Sequence, residues 1–159
     1  MSVLAKQPQI TTVDAEQLAL IRASVPFDAL RSFYDDAFGA LPAAIASSGL
    51  AITGPPRGLT FGTPTDTIDV GVGFPVDGVV ESTESVTPFR TPEGRAVTYD
   101  HRGNYDHLSD VYIELFAWIA DHSLVRGDVV WEIYLTQPTP DADPADMITQ
   151  IVVPVTDAA

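Results

Sequence analysis

The sequence predicts an α+β domain that contains two copies of a strand-helix-strand-strand unit, with the strands in an antiparallel sheet. Two apolar stripes at helical spacing are each followed by two short segments in which apolar residues alternate with smaller or polar ones. Short stretches at corresponding points of the two halves also align. A chain of 159 residues holds enough material for one ordinary core, so we expect residues 1–159 to form a single domain.

The first unit is predicted to open with one strand over residues 10–25, because proline at 26 disfavours helical geometry in the residue before it. A helix over residues 27–48 follows. Its apolar face is formed by Leu30, Tyr34, Phe38, Leu41 and Ile45. Pro42 is expected to kink this helix and Gly49 to end it.

Two strands are predicted next, over residues 58–63 and 67–74, from alternating side chains. Small or polar residues occupy the faces opposite the apolar ones: Gly58, Thr60, Gly62, Asp69, Gly71 and Gly73. Since side chains are small or missing there, we expect these faces to leave room for a ligand.

The second unit repeats this order. Residues 95–102 are predicted to form a strand and residues 104–122 a helix capped at Gly103-Asn104. The helix presents a second stripe, Leu108, Tyr112, Leu115 and Ile119. Two further strands are predicted over residues 127–135 and 147–155, with a loop rich in proline and aspartate at 137–146 between them.

Residue identities support a duplication. Val25–Leu30 aligns with Gly103–Leu108 at the strand-to-helix junction, and Phe74-Pro75-Val76 aligns with Val153-Pro154-Val155. The repeats are predicted to cover about residues 10–76 and 94–156. The polar, turn-rich residues 77–92 are predicted to connect them.

The composition excludes several classes of protein. The formal charge of -14 opposes direct binding to nucleic acid, which depends on cationic side chains. Without cysteine there is neither a disulfide framework nor a thiolate metal site. The N-terminus lacks the features of a signal peptide and no apolar run is long enough to span a membrane, so a cytoplasmic location is expected.

Several segments in order resemble the GyrI-like family, the effector-binding domain of AraC-type and MerR-type regulators. They are Ala96–Leu108, Trp118-Ile119, Glu132-Ile133-Tyr134 and Ile151–Val155, with Gly54-Pro55-Pro56 and Phe74-Pro75-Val76 in the first half. The resemblance covers about residues 9–156. It implies two side-by-side units that enclose a central ligand groove, where aromatic residues and a glutamate receive cationic or planar ligands. Too few residues precede Ile10 for the DNA reader of such regulators, so a stand-alone bacterial form is expected.

The resemblance places the site on the strand over residues 127–135. Side-chain alternation assigns Val129, Trp131, Ile133 and Leu135 to a core face, and Asp128, Val130, Glu132 and Tyr134 to the other. The family uses this position for a ligand-facing Glu-x-Tyr pair, which makes Glu132 and Tyr134 the central predicted ligand contacts. Tyr99 and Trp118 are predicted walls, and Thr60 lies where relatives often carry an aromatic residue.

No cofactor is expected. His101, His107 and His122 do not have a recognised metal-ligand spacing, and the motifs of phosphate-binding loops and serine hydrolases are absent from the sequence. We therefore predict neither a metal site nor a nucleotide site.

Three functions remain open on sequence grounds. The first is a stand-alone protein that senses or sequesters an organic compound, such as a cationic or aromatic one, as multidrug-binding relatives do. The second is a hydrolase of cyclopropane-containing natural products, in which Glu132 is a general base. The third, implied by the namesake of the family, is a protein partner such as DNA gyrase, which an acidic surface would inhibit.

Overall fold

The computed structural model describes residues 4, 6–103, 108–136 and 147–158. Within these ranges the chain forms a mixed α+β fold with two α-helices, α1 (Leu30–Ser47) and α2 (Leu108–Asp121), and antiparallel strands. The strands are β1 (Gln9–Val13), β2 (Gln17–Pro26), β3 (Arg57–Phe61), β4 (Thr67–Pro75), β5 (Thr87–Arg90), β6 (Gly94–Arg102), β7 (Leu124–Arg126), β8 (Val129–Tyr134) and β9 (Ile148–Asp157). The predicted helix cap at Asn104 and the loop 137–146 lie outside the described residues. No helix of the described residues is long and apolar enough to cross a membrane.

The chain divides into two compact units, one of residues 14–92 and one of residues 1–13 with 93–159. In the first, the strand order is β3-β4-β2-β5, and α1 packs on β2 and β4. Its core under α1 consists of Ala19, Ala37, Leu41, Ile45, Val72, Val76, Val80 and Val86. Gly49 has a φ of 75° just beyond the end of α1, which agrees with its predicted role as the helix terminator.

The second unit repeats the topology. Its strand order is β8-β9-β6-β1, with β7 paired to β9. Its core under α2 consists of Val97, Tyr99, Val111, Leu115, Ile119, Leu124, Ile151, Val153 and Val155. In each unit the strand before the helix pairs with the last strand of the repeat, so the predicted strand-helix-strand-strand duplication is confirmed.

The strand registers confirm the predicted alignment of the two halves. Leu18 lies opposite Pro75 in the first unit, and Ala96 lies opposite Pro154 in the second. Starting from these pairs and moving residue by residue along the strands, Phe74-Pro75-Val76 matches Val153-Pro154-Val155, as the sequence predicts. The registers therefore supply a residue-by-residue correspondence between the units.

The prediction of one strand over residues 10–25 is wrong. The segment forms two strands, and β1 pairs with β6 whereas β2 pairs with β4 and β5. The break falls at Asp14–Glu16, where the backbone N–H of Glu16 donates to the Thr91 hydroxyl at 2.7 Å instead of continuing a ladder. Two other strands, β5 and β7, occupy parts of the chain where no strand was predicted. Both are short, so alternation in the sequence gives little signal there.

The residues predicted to form a ligand floor in the first unit do not share one face of the sheet. Thr60 pairs with Val70 and therefore shares the α1-covered face, whereas Gly71 and Gly73 lie on the opposite face. A Cβ built on Gly71 would be 3.0 Å from the Leu20 side chain, and one on Gly73 would be 2.6 Å from the carbonyl oxygen of Ala19. These glycines therefore accommodate close packing of β2 against β4 rather than an empty floor.

Candidate functional site

A row of three side chains crosses the sheet of the second unit on the face that α2 covers. Glu132 on β8 pairs with Ile151 on β9, and Ile151 pairs with Tyr99 on β6. Directly paired residues place their side chains on the same face, and both Ile151 and Tyr99 belong to the core under α2. Glu132 therefore projects toward the helix from the edge of this core.

Two tyrosines hold the Glu132 carboxylate. The Tyr112 hydroxyl, from α2, donates to Oε2 at 2.6 Å, and the Tyr134 hydroxyl, from the same strand, donates to Oε1 at 2.8 Å. Each oxygen thus accepts one phenol hydrogen bond and keeps a second lone pair. This geometry fixes the carboxylate in one orientation without neutralising its charge.

Burial raises the pKa of Glu132 above its ordinary value, because protein atoms surround the carboxyl group and disfavour its charged form. The hydrogen bonds from Tyr112 and Tyr134 and the charge of His101 act in the opposite direction and lower the pKa. The residue as a whole is only half-buried, whereas desolvation of its carboxyl group is the largest influence. A group in this state gains free energy from a proton or from a cation placed beside it.

A second row lies beside the first on the same face. Tyr134 pairs with Thr149, and Thr149 pairs with His101. Thr149 is 1% exposed, whereas Tyr134 and His101 are half-buried. The two rows together place a carboxylate, phenols, an imidazole and a hydroxyl on neighbouring positions of one surface.

The assignment of the core to the other face of β8 is a correction. Trp131 and Val129 are buried as predicted, but Val130, on the face of Glu132, packs against the core under α2. Protein atoms cover both faces of β8. The alternation of side chains in the sequence therefore does not show which face lies under α2. Glu132 lies beneath α2 rather than on a surface that faces away from the core.

The other predicted site residues lie at separate places in the structure. Tyr99 is 3% exposed and packs in the core, separated from Glu132 by Ile151. Trp118 stacks on His122 with ring centroids 3.8 Å apart, and its Nε1 donates to Gln7 Oε1 at 3.2 Å. Thr60 lies on β3 of the first unit. Tyr134 is the predicted residue that directly contacts the Glu132 carboxylate.

Sequence reasoning missed Tyr112 and His101. Tyr112 was assigned only to the apolar stripe of the second helix, although a tyrosine hydroxyl on a core-facing stripe requires a polar partner. This requirement for a polar partner was the feature of the sequence that could have identified Tyr112 as a site residue. His101 follows Tyr99 at the strand spacing of two, which places it on the same face, but its proximity to Glu132 depends on the pairing of β6, β9 and β8.

The polar site occurs in one repeat only. The strand registers make Gly58 the counterpart of Glu132, Thr60 of Tyr134, Ala23 of His101 and Val70 of Thr149. The aromatic pair on the helix is retained, as Tyr34–Phe38 and Tyr112–Phe116, with centroids 6.0 and 5.5 Å apart. Because the first unit folds in the same topology without these polar groups, the fold does not require them.

The site can therefore bind a positive charge or accept a proton at Glu132. Phenol rings next to the carboxylate can contact an aromatic or cationic ligand through their faces. Within the described ranges, no group of three or more histidine, cysteine or acidic side chains is placed to hold a metal ion.

Comparison with solved structures shows the same fold in three relatives. The crystal structure of the EcmrR C-terminal domain has a TM-score of 0.82 at 21% identity and covers 98% of this chain and all (100%) of that one. In an EcmrR–DNA complex, this chain matches 58% of the EcmrR chain. The structure of SAV2435 bound to tetraphenylphosphonium has a TM-score of 0.68 at 12% identity, and the match covers 95% of this chain and 94% of that one. A hydrolase from Listeria innocua has a TM-score of 0.61 at 18% identity, and the match covers 97% of this chain and 94% of that one.

A search of curated protein sequences finds no significant match. The sequence model of one family, the GyrI-like small molecule binding domain, matches residues 6–156. This match includes both units and every residue of the Glu132 site. The chain therefore belongs to the family of GyrI-like small-molecule-binding domains.

Proposed function

We propose that this protein binds an organic cation at Glu132 and acts as a sensor or sequestering protein. The observation that carries the proposal is a desolvated carboxylate held by two phenol hydroxyls, with no counterpart in the other repeat. Two neutral donors orient the charge without compensating it. A cation would complete the site because it neutralises a charge that protein burial disfavours.

The ligand class follows from the groups around the carboxylate. Tyr112 and Tyr134 offer ring faces and Tyr112 contacts Phe116, so the surroundings favour a flat or aromatic ligand with a delocalised charge. A weakly hydrated organic cation loses less solvation on entering such a site than a small ammonium ion. SAV2435 has the same fold and binds tetraphenylphosphonium, which makes that ion a suitable probe.

Tetraphenylphosphonium binding should weaken about 10- to 150-fold in the Glu132→Gln variant. Gln keeps the shape of the side chain and removes the charge, so the loss corresponds to a charge-assisted contact of about 1.5–3 kcal/mol. Isothermal calorimetry near neutral pH measures both affinities. Asp121→Asn, an equal change of charge at an exposed position of α2, is the matched control and should leave the affinity unchanged. Equal affinities of wild type and Glu132→Gln would exclude the carboxylate as the cation contact.

Hydrolysis is the second candidate function, because the raised pKa of Glu132 suits a general base. Glu132 would take a proton from water while the water oxygen bonds to a carbon of a cyclopropane ring. The ring C–C bond would break, and its electron pair would take up a proton. The result is the addition of one water molecule.

An electrophilic cyclopropane substrate distinguishes hydrolysis from simple binding. If Glu132 is a base, Glu132→Gln should lower turnover about 100- to 10,000-fold and largely retain substrate affinity. Product formation is followed by mass spectrometry, with Asp121→Asn again as the control. Absence of wild-type turnover, together with tight cation binding, would favour the sensor over the enzyme. Binding to DNA gyrase, the third function considered from the sequence, stays a prediction.

A further inference from the structure

The Thr149 hydroxyl is a buried polar group without a hydrogen-bond partner in the described part of the chain. Thr149 is 1% exposed, so bulk water does not reach it. Burying a hydroxyl without a partner costs free energy, and the great majority of buried polar side-chain atoms are paired. The isolated hydroxyl therefore requires an explanation.

The duplicated fold shows that the hydroxyl is not needed for packing. The equivalent residue in the first unit is Val70, which is 0% exposed and occupies the same place in the strand order. Valine and threonine have the same shape, so a methyl group would fill the position of the hydroxyl. The second unit thus carries a polar atom where the same fold accepts an apolar one.

The position of Thr149 connects this hydroxyl to the Glu132 site. Thr149 pairs directly with Tyr134, whose own hydroxyl bonds to Glu132, and with His101 on its other side. All three side chains share the face of Glu132. Tyr134 and His101 are half-buried, so a ligand beside Glu132 would reach Thr149 by moving one of these two side chains.

We infer that Thr149 is a second ligand contact, which gives its hydrogen bond to a polar group carried by the organic cation that Glu132 binds. The inference rests on the proposed function and narrows the ligand class to cations that also contain a hydroxyl, carbonyl or amine group. The ligand then supplies the partner that the Thr149 hydroxyl lacks among the described residues. A purely hydrocarbon cation occupies only the Glu132 part of the site.

Stability of the free protein tests whether the hydroxyl is unpaired. Thr149→Val should raise the Tm by about 2–10 °C, because it removes a buried polar atom without changing shape. The reverse substitution in the first unit, Val70→Thr, should lower the Tm by a similar amount. Thr156→Val, at an exposed position of β9, is the control and should change the Tm little. An unchanged or lowered Tm for Thr149→Val would show that the hydroxyl already has a partner and would overturn the inference.

Two phosphonium ions test the ligand contact. Wild type should bind (3-hydroxyphenyl)triphenylphosphonium about 3- to 10-fold more tightly than tetraphenylphosphonium, and Thr149→Val should abolish this difference. Thr156→Val, the exposed control on β9, should bind each of the two ions as the wild type does. Equal binding of both ions by wild type would contradict the second contact.

The two proposals fail in different ways. If the cation proposal is wrong, wild type does not bind tetraphenylphosphonium, or Glu132→Gln binds both ions as wild type does. A preference for the hydroxylated ion that depends on Thr149 but not on Glu132 would support the Thr149 contact alone. A preference that survives in Thr149→Val would overturn the Thr149 contact and leave the cation site intact.

Discussion

The Glu132→Gln variant is expected to melt higher than the wild type near neutral pH. Burial raises the pKa of Glu132 and so disfavours its charged form, and its two tyrosine partners donate hydrogen bonds without neutralising that charge. A buried charge is destabilising where burial outweighs the opposing influence of its neighbours, here the two tyrosines and His101, and removal of the charge should contribute about 1–3 kcal/mol. For a chain of this length that gain corresponds to a Tm increase of about 2–10 °C.

The gain should depend on pH in a defined direction. Because the folded protein raises the pKa of Glu132, it binds the proton more readily than the unfolded chain does. The stability contributed by this proton is fully present below the unfolded pKa and is lost as pH rises through the folded pKa. Wild type and Glu132→Gln should therefore melt at similar temperatures in acid and diverge as pH rises.

Thermal melts of both proteins across pH 4–8 measure this divergence. Asp121→Asn should follow the wild-type curve, because that side chain is exposed. A constant difference between wild type and Glu132→Gln at every pH would show that the proton of Glu132 is not the cause. A tightly bound cation should abolish the advantage of the variant, since it neutralises the same charge.

Leu115→Ala is expected to be the most destabilising of the substitutions considered. Leu115 is 0% exposed on α2 and belongs to the core between this helix and the sheet. Truncation of a buried leucine leaves a cavity and costs about 2–5 kcal/mol, which lowers the Tm by about 5–15 °C. The same helix carries Tyr112, so the substitution should also weaken the hydrogen bond from the Tyr112 hydroxyl to Glu132.

Chemical denaturation with a matched variant tests this expectation. Ile113 lies on the same helix but is 68% exposed, and Ile113→Ala should change stability by less than about 0.5 kcal/mol. Weaker tetraphenylphosphonium binding by Leu115→Ala than by Ile113→Ala, at temperatures where both are folded, would support the role of α2 as the platform for Tyr112. Equal stability of the two variants would contradict the assignment of the core face of α2.

The helices and the duplication were predictable because both depend on local spacing. The stripe Leu108, Tyr112, Leu115 and Ile119 matches the buried face of α2, where Leu115 and Ile119 are almost fully buried. The structure confirms the alignment of Phe74-Pro75-Val76 with Val153-Pro154-Val155. In each unit the same position of the first strand lies opposite the proline of this segment. Local patterns determine these features before any distant segment is brought close.

Strand boundaries that depend on distant partners were not predictable. Residues 10–25 form one mixed apolar segment in the sequence, yet β1 pairs with β6 and β2 pairs with β4. The side chains do not distinguish one long strand from two strands with different partners. Similarly, β5 exists because it pairs with β2, not because its four residues alternate strongly.

The sequence by itself determined which side chains share the face of Glu132, because a strand alternates with a period of two. It did not determine which face the helix covers, since both faces of β8 carry apolar residues. Tertiary structure decided that Glu132 lies under α2, within 2.6 Å of the Tyr112 hydroxyl, and that Thr149 and His101 lie in the neighbouring row. The physical reason is that the pKa of a carboxyl group depends on atoms that pack around it in space, and those atoms come from segments far apart in the chain.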